Sequence, residues 1–283
     1  MQPRATSLRL DAGITIHALY DGGLAGAAQD YIGIETPELE AILTGAGEHF
    51  PPCPDLICYL VEANGRRVLV DTGAGAHFGP SAGLLPASMA LMGITPGDID
   101  TIFLTHLHGD HVGGLVDPAG APIFPRAAVR LAREEARYWL ESPAETIPQA
   151  RQNTRAFAIH CLAPYRATMS SLVEEDEIFP GIALLPLTGH TPGHSGLGLH
   201  GSQRRLMIVA DLLHLPEVQL GATDVTTRYD WRPDIATQTR RNVLRQAASE
   251  GTLLAGMHLR WPGIYTVEAQ GEGFRLHTAA VST

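Results

Sequence analysis

Thr105-His106-Leu107-His108-Gly109-Asp110-His111 packs three imidazoles and one carboxylate into a single short loop. These are the side chains that borderline divalent metals such as zinc prefer as ligands. The run before it, Ile99 to Leu104, reads as a strand, so the cluster sits where a strand stops and a loop begins. His106 and His108, alternating, are expected to face one ion, and Asp110 and His111 to turn towards another. Gly109 is expected at a sharp bend between the two pairs, because a residue without Cβ reaches backbone angles that others do not. A solvated polar loop with chance histidines is the bland alternative, and so restrictive a pattern disfavours it.

Two coordination shells need more donors, and these are expected at later strand ends. Thr188-Gly189-His190-Thr191-Pro192-Gly193-His194, Asp211 and His258 each follow an apolar run. Each is weak evidence alone, because a single histidine after a strand is more often a hydrogen-bonded structural residue than a ligand. Three such sites alongside the loop are hard to attribute to chance.

Working outward, Leu8 to Ala18 alternates apolar and polar residues and reads as one strand, and Asp30 to Glu48 holds a short helix. Leu56 to Ala63 and Arg67 to Val70 read as a hairpin about Asn64-Gly65, both of which tolerate positive φ. That hairpin runs into Asp71-Thr72-Gly73. Leu84 to Met92 reads as a helix, Ile123 to Leu131 as a strand, Ala132 to Leu140 as a helix, and Glu145 to Tyr165 as further helix broken at Pro164. Strands follow at Ala183 to Leu187, Gly196 to His200 and Leu206 to Ala210, then a helix at Ile235 to Ser249 and a strand at Leu253 to Gly256. The alternation points to an α/β (α+β) chain with two sheets face to face and helices outside, in one domain over residues 1–283.

Composition narrows the partners. With 20 Lys+Arg against 30 Asp+Glu the formal net charge is -10, so a nucleic acid meets repulsion rather than a basic stripe. No apolar run approaches the ~20 residues that cross a bilayer, and no export leader is evident. Cys53, Cys58 and Cys161 have neither metal-type nor disulfide-framework spacing and suit reduced thiols in a cytoplasm.

With these residues in place, the chain resembles the metallo-β-lactamase superfamily: the motif HxHxDH stands as His106 to His111, and the later histidine, aspartate and histidine are matched by His190, Asp211 and His258. Within it, the chain is similar to the methyl parathion hydrolase branch through Val70-Asp71-Thr72-Gly73-Ala74, Phe78-Gly79-Pro80, His111-Val112-Gly113-Gly114-Leu115, Tyr138-Trp139-Leu140, and His258-Leu259 before Pro262-Gly263-Ile264. That branch looks related to the N-acyl-homoserine lactonases.

The resemblance implies a four-layer αββα sandwich. It implies that His106, His108 and His190 hold one metal, that Asp110, His111 and His258 hold the other, and that Asp211 bridges both. The ions implied are two Zn2+, with Mn, Fe or Co also suited to such ligands. A metal-bridging hydroxide is the expected nucleophile on a small ester or lactone, with phosphotriester cleavage as a side activity. A glyoxalase II-like thioesterase and a non-catalytic metal-binding protein stay open as alternatives, as does a homodimer.

Asp110, Asp211 and His214 are the catalytic candidates, His214 standing where related lactonases carry a substrate-contacting tyrosine. Phe78, Trp139, His214, Arg260 and Trp261 are the substrate-binding candidates, with Arg260 either pairing with an acidic substrate group or serving as a rim charge. Asp71 either accepts an N–H from a ligand histidine or serves only its own turn, and His194 is assigned a place behind the ligands.

Overall fold

Leu8 to Ala18, expected as one strand, is a hairpin. Strands β1 (Ala5–Arg9) and β2 (Ile14–Gly23) pair antiparallel. Between them Asp11 Oδ1 accepts the Gly13 and Ile14 amides at 2.7 and 3.1 Å, a local turn that breaks the alternation. Residue 12 of that run lies outside the described residues, which in this computed structural model are 1–11, 13–174, 176–202 and 204–281.

Beyond the short β3 (Tyr31–Ile32) and helix α1 (Thr36–Gly45), β4 (Asp55–Ala63) and β5 (Arg66–Val70) form the expected hairpin, with Asn64 and Gly65 at φ 52° and 72°. Strands β6 (Thr101–Leu104), β7 (Ala128–Ala132) and β8 (Ser170–Leu172) continue the sheet in parallel from β5. Its order is β1-β2-β4-β5-β6-β7-β8.

The second sheet holds β9 (Glu177–Phe179), β10 (Ile182–Pro186), β11 (Ser195–His200) and β12 (Arg205–Ala210). Past the ribbon strand β13 (Thr226–Thr227), which pairs with β3, it adds β14 (Leu253–Gly256), β15 (Ile264–Gln270) and β16 (Gly273–Thr278). Its order is β16-β15-β14-β12-β11-β10-β9, so β14 inserts beside β12 in parallel.

The layering follows from which face each side chain takes. Ile57, Tyr59 and Val61 of β4 join Ile208, Ala255 and Ile264 in the core between the sheets. Cys58 and Leu60 point the other way, towards Met89, Val112 and Ala158 of the outer helices α2 (Leu85–Ala90), α3 (Gly109–Val112) and α5 (Gln152–Leu162). A strand covered on both faces reads as a continuous apolar run for this reason. On the far side, Met207, Val209 and Leu254 meet Val243, Leu244 and Ala247 of the long helix Pro233–Glu250. The result is the expected αββα sandwich.

The expected elements differ from the structure in several places. The strand expected from Ile123 begins only at Ala128, because Pro125 has no N–H for a ladder. The helix expected from Glu145 is α only over Gln152–Leu162, after short 3-10 turns that follow Pro143 and Pro148. The hairpin of β15 and β16 was not expected at all; its burial is confined largely to the start of β15, and the apolar alternation that marks a strand is correspondingly weak.

Candidate metal centre

Strands of both sheets end at one place. β6 leads into Thr105 and His106, β12 into Asp211, β14 into His258, and the turn after β10 carries His190. His106, His108, His190 and Asp211 present ligand atoms within 4.8 Å of one another, as do Asp110, His111 and His258, and as do Asp211, His214 and His258. All seven expected ligands therefore converge.

Asp211 is the centre. Its Oδ1 lies 3.1 Å from His111 Nε2, and its Oδ2 lies 3.3, 3.1, 3.2 and 3.7 Å from the Nε2 atoms of His190, His214, His258 and His106. Asp110 Oδ2 lies 3.5 Å from both His111 and His258.

The rings are aimed by their far nitrogens. Asp71 Oδ2 accepts from His111 Nδ1 at 2.7 Å and Asp230 Oδ1 from His190 Nδ1 at 2.8 Å; the Asp55 carbonyl accepts from His258 Nδ1 at 3.1 Å. Pinning Nδ1 turns each Nε2 towards the interior. Of the two readings of Asp71, the structure thus shows the contact with His111. Asp71 also takes the Thr105 amide and hydroxyl at 2.8 and 2.7 Å, so it ties the turn after β5 to the histidine loop.

His194 plays another part. Its Nδ1 donates to Leu187 O at 2.9 Å and its Nε2 accepts the Asp211 amide at 3.2 Å, which uses both nitrogens on backbone. Burial pushes it down to about 3, and the neutral ring holds the Asp211 backbone in place.

Burial first, and the neighbouring histidines after it, hold His106 and His108 well below the ordinary imidazole range, so both keep a free lone pair at neutral pH. Burial also opposes charge on His111, yet Asp211, Asp110 and Asp71 outweigh it and hold that ring well above. Among the described residues, His106 Nε2, His111 Nε2, Asp211 Oδ1 and His214 Nδ1 are buried without a well-directed hydrogen bond, the 3.1 Å approach of His111 Nε2 to Asp211 Oδ1 included. Such buried polar atoms are rare, and four in a cluster of imidazoles and carboxylates fit a pair of divalent cations.

A cavity of about 300 Å³ opens beside them, lined by His108, Asp110, Asp211, His214 and His258 and also by Leu24, Asp30, Pro54, Phe78, Thr154 and Tyr229. Of the substrate-binding candidates, Phe78 and His214 line it. Trp139, Arg260 and Trp261 do not, and the expectation for them is corrected. Trp139 is fully buried behind His108, its ring 6.0 Å away edge-on. Arg260 turns to Glu217, Glu48 and Cys53 O, and Trp261 packs against Tyr20. Gly109 is corrected too: it has no positive φ, and its bare Cα admits the Phe78 ring, whose Cζ would lie 2.6 Å from an added Cβ.

Two acidic residues escaped the sequence reading. Asp230, on His190, follows the Thr227-Arg228-Tyr229 turn, and Glu135 sits on the short helix α4 (Arg133–Ala136), fully buried. Neither stands near a ligand in sequence. A signal existed only for Glu135, as an acidic residue three and four positions from the apolar Ala132 and Trp139, on one face of a helix.

The family model of the metallo-beta-lactamase superfamily matches residues 58–258. Over 186 residues the chain is 28% identical to a probable metallo-hydrolase of Mycobacterium tuberculosis, covering 56% of this chain and 57% of that protein. It is 29% identical over 160 residues to an N-acyl homoserine lactonase of a Bacillus species, covering 50% and 56%. The chain thus spans little more than half the length of these curated relatives. Among solved structures, the hydrolase AbOPH in the beta lactamase superfamily superposes with a TM-score of 0.91 at 27% identity, over 99% of this chain and 100% of that one. The dizinc quorum-quenching lactonase AidC, solved with a product, superposes with a TM-score of 0.90 at 24% identity over 98% of each chain, a likeness of fold.

Proposed function

This chain belongs to the metallo-beta-lactamase superfamily, and from that premise we propose that it is a dinuclear metal-dependent hydrolase of small, neutral esters or lactones, with phosphotriesters as side substrates. One observation carries the reading: the Asp211 carboxylate stands among five imidazoles beside a cavity whose lining, among the described residues, includes no Lys or Arg. An uncharged substrate suits such a wall. A glutathione thioester or a nucleic acid would bring anionic groups that nothing in the lining pairs with.

His106, His108 and His190 would hold one ion, Asp110, His111 and His258 the other, and Asp211 both; zinc suits this imidazole and carboxylate set. When bound, the ions supply the Lewis acidity that polarises a carbonyl or phosphoryl oxygen and acidifies water. Asp71 and Asp230 orient two of the rings. His214 Nε2, 3.1 Å from Asp211 Oδ2 at the cavity wall, lies with Asp211 on the proton's route to the leaving oxygen. Phe78, Tyr229, Leu24 and Pro54 receive the apolar part of the substrate and exclude water. The free thiols Cys53, Cys58 and Cys161 support a reducing, cytoplasmic setting.

The test is metal content per chain followed by assay against lactones, aryl esters and phosphotriesters. Two equivalents of metal with a preference for one neutral class is the expected result. Asp211→Ala and His258→Ala should lose metal and turnover together, and a metal-free variant with full activity would refute the scheme.

A further inference from the structure

The Glu135 carboxylate has no exposed surface and accepts four hydrogen bonds, all from neutral donors. Oε1 takes the Leu107 amide at 2.9 Å and the Trp139 indole N–H at 2.8 Å; Oε2 takes the Thr191 hydroxyl at 2.6 Å and the Gly193 amide at 3.0 Å. Leu107 lies between His106 and His108, and Thr191 directly follows His190. One side chain therefore grips both loops that supply the first group of metal-ligating candidates.

The backbone presses the same point. A Cβ on Gly193 would lie 2.0 Å from the Glu135 nitrogen and 2.6 Å from its Cα, so the loop after His190 rests directly on α4. Gly193 is required there by that approach rather than by its φ, which is not positive.

A buried carboxylate without a cationic partner is costly, and an apolar residue would fill the space at less cost. The four donors explain its form. Three are N–H groups that cannot accept, so a glutamine would set an NH2 against at least one of them, and only an anion satisfies all four together.

We propose that Glu135 is a positioning residue that sets the spacing of His106 and His108 against His190, and thereby the affinity for one of the two ions. The second group, Asp110, His111 and His258, is aimed instead by Asp71 and the Asp55 carbonyl, so its affinity does not depend on Glu135. The inference rests on the metal-binding reading above.

The test compares wild type, Glu135→Gln, Trp139→Phe and Thr191→Val, each loaded with zinc. Chelator competition resolves the tighter and weaker equivalents, and thermal unfolding of the demetallated proteins reports any general loss of structure. Glu135→Gln should weaken one equivalent by about 10–100-fold and leave the other within about 3-fold, with the demetallated melting temperatures close to wild type. Trp139→Phe and Thr191→Val, which each remove one donor, should weaken the same equivalent by less, and they carry the test if Glu135→Gln does not fold. Equal weakening of both equivalents, or unchanged affinities with a lower melting temperature alone, overturns the proposal. Wild type that binds no zinc overturns the metal-binding reading itself, whereas two equivalents in wild type uphold it whatever the variants do.

Discussion

Asp230 Oδ1 lies 2.8 Å from His190 Nδ1, and both are buried in the wall between the ribbon strand β13 and the histidine loops. Burial alone would raise the Asp230 carboxyl, but the hydrogen bond and charge of His190 outweigh it and hold it at about 2. Asp230 is therefore an anion at any working pH and fixes which nitrogen of His190 faces Asp211. Asp230→Ala should weaken metal binding by about 10–100-fold while the protein stays folded. Isothermal titration of zinc into the demetallated variant, with circular dichroism as a control, measures this; wild-type affinity would remove Asp230 from the design.

Gly109→Ala places a methyl 2.6 Å from Phe78 Cζ and 3.4 Å from Phe157 Cδ1. Phe78 is 42% exposed and free to swing outward, so stability should change by less than about 1 kcal/mol. The moved ring leaves the cavity wall, and KM for an apolar acyl ester should rise about 3-fold or more with kcat nearly held. An unaltered KM would show that Phe78 is not part of the substrate wall.

Arg260 donates to Glu217 at 2.7 Å and to Cys53 O at 2.9 Å, and pairs with Glu48 at 3.2 Å. Its removal strands the mostly buried Glu217 carboxylate and the half-buried Glu48. Arg260→Ala should cost about 1–3 kcal/mol by urea unfolding and leave KM for a neutral ester within about 3-fold. The opposite pattern, a large KM effect on a protein of unchanged stability, would return Arg260 to the substrate.

Asp21 accepts the Ala74 and Leu85 amides at 2.9 and 2.8 Å, yet burial pushes its carboxyl up from 3.8 to about 6. The folded state therefore binds this proton more tightly than the unfolded chain. The burial cost of the ionised form is absent below about pH 4 and complete above about pH 6, so this group's contribution falls as pH rises through that window, by on the order of 2–3 kcal/mol. The urea midpoint of wild type should fall relative to that of Asp21→Asn as pH rises across that range; parallel curves would contradict the assignment.

Much of this was legible in advance. Asn64-Gly65 announces its hairpin because few residues accept the φ values of 52° and 72° seen there. His106 to His111, His190, Asp211 and His258 were legible because each donor follows an apolar run that ends in a turn. Asp230 and Glu135 were not, since each is 40 or more positions from its ligand-loop partners apart from the 28 to Leu107, and no sequence period marks a contact across that separation. Trp139 and Arg260 show the complementary limit. Their residue types suggested a substrate wall, but the direction each side chain takes depends on the neighbours it meets.

By itself the amino-acid sequence determined the kind of chemistry and the alternation of strands and helices, because donor type and apolar spacing are local properties of the chain. The tertiary structure alone decided that five imidazoles share the Asp211 carboxylate, which carboxylates aim them, and that a mostly apolar wall faces them. Those are distances between segments far apart in the chain, and packing of the two sheets is what brings their ends together.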